Sequence, residues 1–174
     1  MKKVVFALAL ILALQAGYSP AFHDFSKYRD QEVAYILSAS PSVPTRIAAI
    51  RTLGVRGSTI ATPYLISLCQ DQSREIRTAA IQALGMIKAK EALTTYYSIV
   101  WSNSKYFTVW DKISAVWALG NYPETNIISL IDIMDFHSDF RVCLAAARSL
   151  QKRPEIEAKY ASNYWQPILS MLPK

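Results

Sequence analysis

Apolar residues return along the middle of the chain at intervals of three and four, and the pattern as a whole then recurs. Its clearest copy is Arg77-Thr78-Ala79-Ala80-Ile81-Gln82-Ala83-Leu84-Gly85. Near-copies are Arg46-Ile47-Ala48-Ala49-Ile50-Arg51-Thr52-Leu53-Gly54 and Lys112-Ile113-Ser114-Ala115-Val116-Trp117-Ala118-Leu119-Gly120. A worn copy is Cys143-Leu144-Ala145-Ala146-Ala147-Arg148-Ser149-Leu150-Gln151. The last residues of the four copies are spaced 31, 35 and 31 positions apart. A period of that length marks stacked helical repeats, in which each unit is too thin to bury its own apolar side and shelters against its neighbours.

The elements follow from the same pattern. Val33, Ile36 and Leu37 predict a first helix over 30–39, broken by Ser40-Pro41-Ser42-Val43-Pro44. Pro44 suits the first turn of a second helix running to Leu53, which Gly54 is expected to close in the left-handed conformation. The same role is expected of Gly85 and Gly120. Partner helices are predicted over 58–70, with Pro63 in the first turn, and over 90–101. Asp71 precedes the best copy, and Asp135 the last, where a carboxylate would cap free N–H groups at a helix start. Thr108-Val109-Trp110-Asp111 resembles a capping box. Asn121-Tyr122-Pro123 stops that helix, and 124–136 and 139–151 form a last pair. A helix over 164–172 is expected to cover the end of the stack. No stretch alternates polar and apolar residues, so the fold class is all-α: a solenoid of about four antiparallel helix pairs.

Composition supports one domain: 174 residues, 52% hydrophobic, with 5 Gly and 8 Pro. Residues 1–21 stand apart. Lys2 and Lys3 precede an apolar run from Val4 to Leu14, and Ser19-Pro20-Ala21 offers small residues for a signal peptidase; a cut after Ala16 is the alternative. The run is shorter than the roughly 20 residues a membrane-spanning helix needs. The expectation is therefore a signal peptide followed by a repeat domain over 22–174, exported to the periplasm or secreted, with no integral membrane segment in the mature protein. The net charge of +6 becomes +4 without Lys2 and Lys3. That charge is scattered and forms no stripe for nucleic acid.

The Pro-started apolar helix, the Asp and the Arg-x-Ala-Ala-x-x-Ala-Leu-Gly helix together resemble HEAT repeats. The clearest match runs from Ala61-Thr62-Pro63-Tyr64-Leu65 through Asp71 to Gly85, and the resemblance extends over roughly 31–152. It is closest to the short HEAT-like type of phycobilisome lyases. The last copy departs most, with Cys143 in place of the basic residue and Gln151 in place of Gly. The resemblance implies the fold strongly and a function weakly, because the family includes chromophore lyases, a metal-dependent hydroxylase, DNA-repair enzymes and plain scaffolds. The hydroxylases carry His-Glu pairs, whereas His23 and His137 are not followed by Glu. The resemblance further implies that the second helix of each pair lines the concave side.

No nucleophile–base pair emerges, so no catalytic or metal residue is assigned and no cofactor is expected. Cys69 and Cys143 lie two repeats apart, about 20 Å at helix-packing distances, beyond the ~7 Å reach of a disulfide; they read as buried free thiols. His137 between Asp135 and Asp139 reads as a polar turn with a helix cap, or as two-thirds of a metal site. Arg46, Arg77 and Lys112 recur at one phase and read as a ladder to Asp71 and neighbouring carbonyls, or as a basic groove. Aromatic residues crowd the third repeat: Tyr96, Tyr97, Trp101, Tyr106, Phe107, Trp110, Trp117 and Tyr122. Trp117 aligns with Arg51, Gln82 and Arg148, all polar, so it belongs on a solvated face unless the 102–107 connection folds over it. The candidate binding residues are Arg51, Gln82, Trp101, Tyr106, Trp110, Trp117 and Arg148. The expected function is a non-enzymatic protein-interaction or scaffold module of the cell envelope. The alternative is a ligand-binding or lyase-like enzyme using an aromatic pocket around Trp117.

Overall fold

The computed structural model describes residues 24–122 and 127–152. The proposed signal segment, His23 and the expected terminal helix over 164–172 lie outside the described residues. All regular structure among the described residues is helical: α1 (Asp30–Ala39), α2 (Val43–Val55), α3 (Thr62–Leu68), α4 (Arg74–Ile87), α5 (Leu93–Val100), α6 (Val109–Gly120), α7 (Ile127–Phe136) and α8 (Phe140–Gln151). The all-α expectation stands.

The chain divides into two compact units, 1–92 and 93–174. In the first, α1 packs on α2, α3 packs on α4, and the second helices α2 and α4 lie against each other. In the second unit α5 packs on α6, α7 packs on α8, and α6 lies against α8. Each unit is thus two helix pairs joined through their Ala-rich second helices, as the repeat predicts. Ala49, Ile50 and Leu53 of α2 and Ala79, Ala80, Ile81, Ala83 and Leu84 of α4 form the first interior. Ala115, Val116, Ala118 and Leu119 of α6 are buried in the second, as are Val142, Ala145, Ala146 and Leu150 of α8. Small alanines on the facing sides let two helices approach closely, and the larger residues fill the space beneath.

The glycines do something other than expected. Gly54 and Gly85 lie within their helices and Gly120 is the last residue of α6, and the positive-φ residues among those described are Gly57 (φ 65°) and Lys88 (φ 58°). A Cβ on Gly54 would stand 2.8 Å from the Cα of Ala83, and one on Gly120 would stand 2.9 Å from the Cβ of Ser149. The two contacts join positions separated by the same step along the chain, so α2–α4 and α6–α8 pack in one register. At these sites glycine is kept for closeness of approach. Helix closure falls further along: past α2, Gly57 N–H donates to Gly54 O and Ser58 N–H to Leu53 O, both 3.0 Å. That is the two-bond closure around a left-handed residue. Lys88 plays that part after α4.

Two partner helices are shorter than expected. Residues Thr59–Ala61 and Lys90–Ala92 form 3-10 turns before α3 and α5. After Leu68, Cys69, Gln70 and Asp71 donate to carbonyls three residues back, tightening the last turn. The expected caps also shift. Ser73 caps α4, its hydroxyl accepting from Ile76 N–H at 3.3 Å, and Asp139 caps α8. Asp135 lies within α7 instead. Thr108 opens α6 as a capping box with Asp111, as the sequence indicated.

Candidate functional site

The second helix of each pair buries one side and leaves a stripe in solvent. In α2 the stripe passes through Arg51 and Val55, and in α4 through Glu75, Gln82 and Met86, all exposed. In α6 the corresponding positions are Trp110 and Trp117, 57% and 46% exposed. These two indoles are seven residues apart, two helical turns, and share one side of the helix at an axial separation of about 10.5 Å. The 102–107 connection does not cover Trp117. On α8 the stripe carries Arg141 and Arg148, and Lys152 follows at the helix end. Because α6 and α8 meet at Gly120 and Ser149, the Trp117 and Arg148 stripes belong to one face of the second unit.

The aromatic crowd is divided. Tyr96 and Tyr122 are interior, edge to face with ring centres 6.1 Å apart. Trp101 is exposed but leans on His137, with ring centres 5.7 Å apart. Tyr106 stacks edgewise on Phe107 in the connection. Of the named aromatics, Trp110 and Trp117 sit on the exposed stripe of α6, whereas Trp101 follows α5 and Tyr106 lies in the connection before α6. Arg51 and Gln82 occupy the equivalent stripe of the first unit.

His137 has both ring nitrogens engaged. The N–H of Asp139 donates to Nδ1 at 3.0 Å, so Nδ1 is the acceptor and Nε2 carries the hydrogen, facing Val100 O at 3.0 Å. The ring thereby ties the α7–α8 turn to the end of α5. Asp139 accepts from Arg141 N–H and makes a two-pronged contact with its guanidinium at 3.0 and 2.7 Å. The guanidinium bonds hold its carboxyl down to about 2. Cys143 is half-buried and donates to His137 O at 3.1 Å; burial pushes its thiol up, away from the reactive thiolate. Cys69 is fully buried, with Sγ 3.4 Å from Leu65 O. Both cysteines are free thiols, but only Cys69 is as buried as expected.

The recurrent basic residues form ties. Arg46 pairs with Asp71 at 3.1 Å. Arg77, 4% exposed, donates to the carbonyls of Asp71 and Gln72 at 2.9 and 3.1 Å. Lys112 donates to Ser102 O at 2.7 Å and pins the long connection to α6. Their engagement supports the ladder reading over the groove. A further tie was not visible in the repeat: Arg56 donates to Tyr28 O at 2.7 Å and Phe25 O at 2.6 Å and pairs with Asp30. Phe136 and Phe140, more than 70% exposed around the His137 turn, also escaped the sequence reading.

Residues 31–104 match the family model described as HEAT repeats, which supports a HEAT-repeat family for the chain. No curated protein matches it. HEAT repeats generally mediate protein–protein interaction. No helix among the described residues is long and apolar enough to cross a membrane.

Proposed function

We propose that this protein is a non-enzymatic interaction or scaffold module of the cell envelope, and that it holds a protein partner on the α6–α8 face. The observation that carries the reading is Trp117. It stands exposed where the aligned residues of the other copies are polar, on a helix whose opposite side is locked into the interior. Tryptophan and arginine are the side chains most often found at the energetic centre of protein interfaces. A ring held on a packed helix loses little freedom on binding. Trp110 and Arg148 extend the same surface. Export to the periplasm or beyond is supported by Lys2, Lys3 and the apolar run that follows.

The test is affinity capture from a native envelope fraction with wild-type protein and Trp117→Ala, with helicity checked by circular dichroism. Loss of the captured partner at unchanged helicity is expected. A partner retained at wild-type yield would remove Trp117 from the interface.

A further inference from the structure

The charges on α6 and α8 are all of one sign at the surface. α6 contains one carboxylate, Asp111, which is fully buried in the capping box. α8 contains none. The exposed or half-buried charged groups are Lys112, Arg141 and Arg148, with Lys152 at the helix end. Lys112 is engaged with Ser102 O and Arg141 with Asp139. Among the described residues Arg148 has no ion-pair partner, and neither has Lys152. Of the described acidic residues of the last pair, Asp132 and Asp135 are exposed on α7, the other helix, and Asp139, half-buried at the start of α8, is held by Arg141. Among the described residues the face thus combines two projecting indoles with Arg148 and Lys152, neither of them ion-paired, while of its carboxylates Asp111 is buried and Asp139 is engaged by Arg141.

Resting on the reading above, we infer that the face accepts an acidic segment of a protein, with carboxylates meeting Arg148 and Lys152 and apolar side chains covering Trp110 and Trp117. An amphipathic helix with apolar residues at i and i+7 repeats the indole spacing of about 10.5 Å. Opposite charge on the partner satisfies the cations and rejects basic competitors. A nucleic acid also offers negative charge and stacking bases, but its affinity grows with each phosphate neutralised. Two cations with no ion-pair partner among the described residues favour a short acidic peptide over a polyanion.

The experiment is selection of random displayed peptides on the intact protein, with Trp117→Ala as the counter-selection target. Enriched peptides should carry a net negative charge and a pair of apolar residues. A synthetic peptide from the selection should bind about tenfold more weakly to Arg148→Glu, a step of about 1.4 kcal/mol, and keep most of its affinity for Arg148→Lys. Its affinity should also fall as salt is raised. Peptides that depend on Trp117 but are neutral or basic would overturn the acidic assignment and leave the interaction face standing. Absence of any Trp117-dependent peptide would overturn both. A single-stranded oligonucleotide or an anionic vesicle binding more tightly than the acidic peptide, through the same two residues, would overturn the choice of a protein segment.

Discussion

Arg77 shows how a recurrent charge in a repeat serves structure. Its guanidinium is almost wholly buried and gives the Asp71 and Gln72 carbonyls their donors where the chain turns into α4. Arg77→Ala should cost about 2 kcal/mol, since bonds to charged groups are the stronger ones, and lower Tm by roughly 5 °C in a chain of this length. An unchanged melting curve would refute the tie. Asp139 makes a claim about pH. Its folded value of about 2 lies below the ordinary carboxylate value of about 3.9. A depressed carboxylate adds stability that is complete above pH ~4 and is lost as pH falls through about 2. Thermal melts from pH 5 to pH 2 should therefore decline less steeply for Asp139→Asn than for the wild type. Parallel curves would show that the Arg141 contact contributes nothing. The recurrence of Arg46, Arg77 and Lys112 was plain in the sequence. The clamp by Arg56 was not, because two of its acceptors are main-chain carbonyls, which carry no side-chain signal, and the third, Asp30, stands outside the repeated pattern.

At the scale of the element, the repeated glycine is the instructive position. In sequence, Gly after a run of periodic apolar residues looks like a helix terminator. In the structure α2 and α4 run past it and α6 ends on it without a left-handed turn, and the close approach of α2 to α4 and of α6 to α8 leaves no room for a Cβ. The sequence signal for both roles is the same letter; only the neighbouring helix distinguishes them. Gly54→Ala should lower Tm by overpacking, about 1–3 kcal/mol, although Ala is the better helix former by about 1 kcal/mol. Val55→Ala, next along and 76% exposed, should leave Tm unchanged. A stabilised Gly54→Ala would mean the helices can part freely. Helix pairing was readable from periodicity, since the Ala-rich copies mark the facing sides. The 3-10 turns before α3 and α5 were not, because the apolar pattern continues through them and only the hydrogen bonds change.

For the molecule as a whole, repetition supplies the frame and departures from it supply the candidate function. Each unit has two pairs joined by their second helices in the same register, so aligned positions occupy equivalent places on them. That equivalence is what made Trp117 informative among Arg51, Gln82 and Arg148. Its exposure at 46% is the fact that alignment alone left open. Trp110 gains its meaning from geometry, as the second indole on the same side of α6. Trp101 and Tyr106 were grouped with them by nearness in the chain, and the fold sends them to different contacts. The most direct measurement places a photoactivatable benzoylphenylalanine at position 117 and, as a control, at the exposed Ser98 of α5. Irradiation in the native envelope fraction should link a discrete protein to the first and not to the second. Equal linkage from both positions, or linkage only from Ser98, would contradict a partner held on the α6–α8 face.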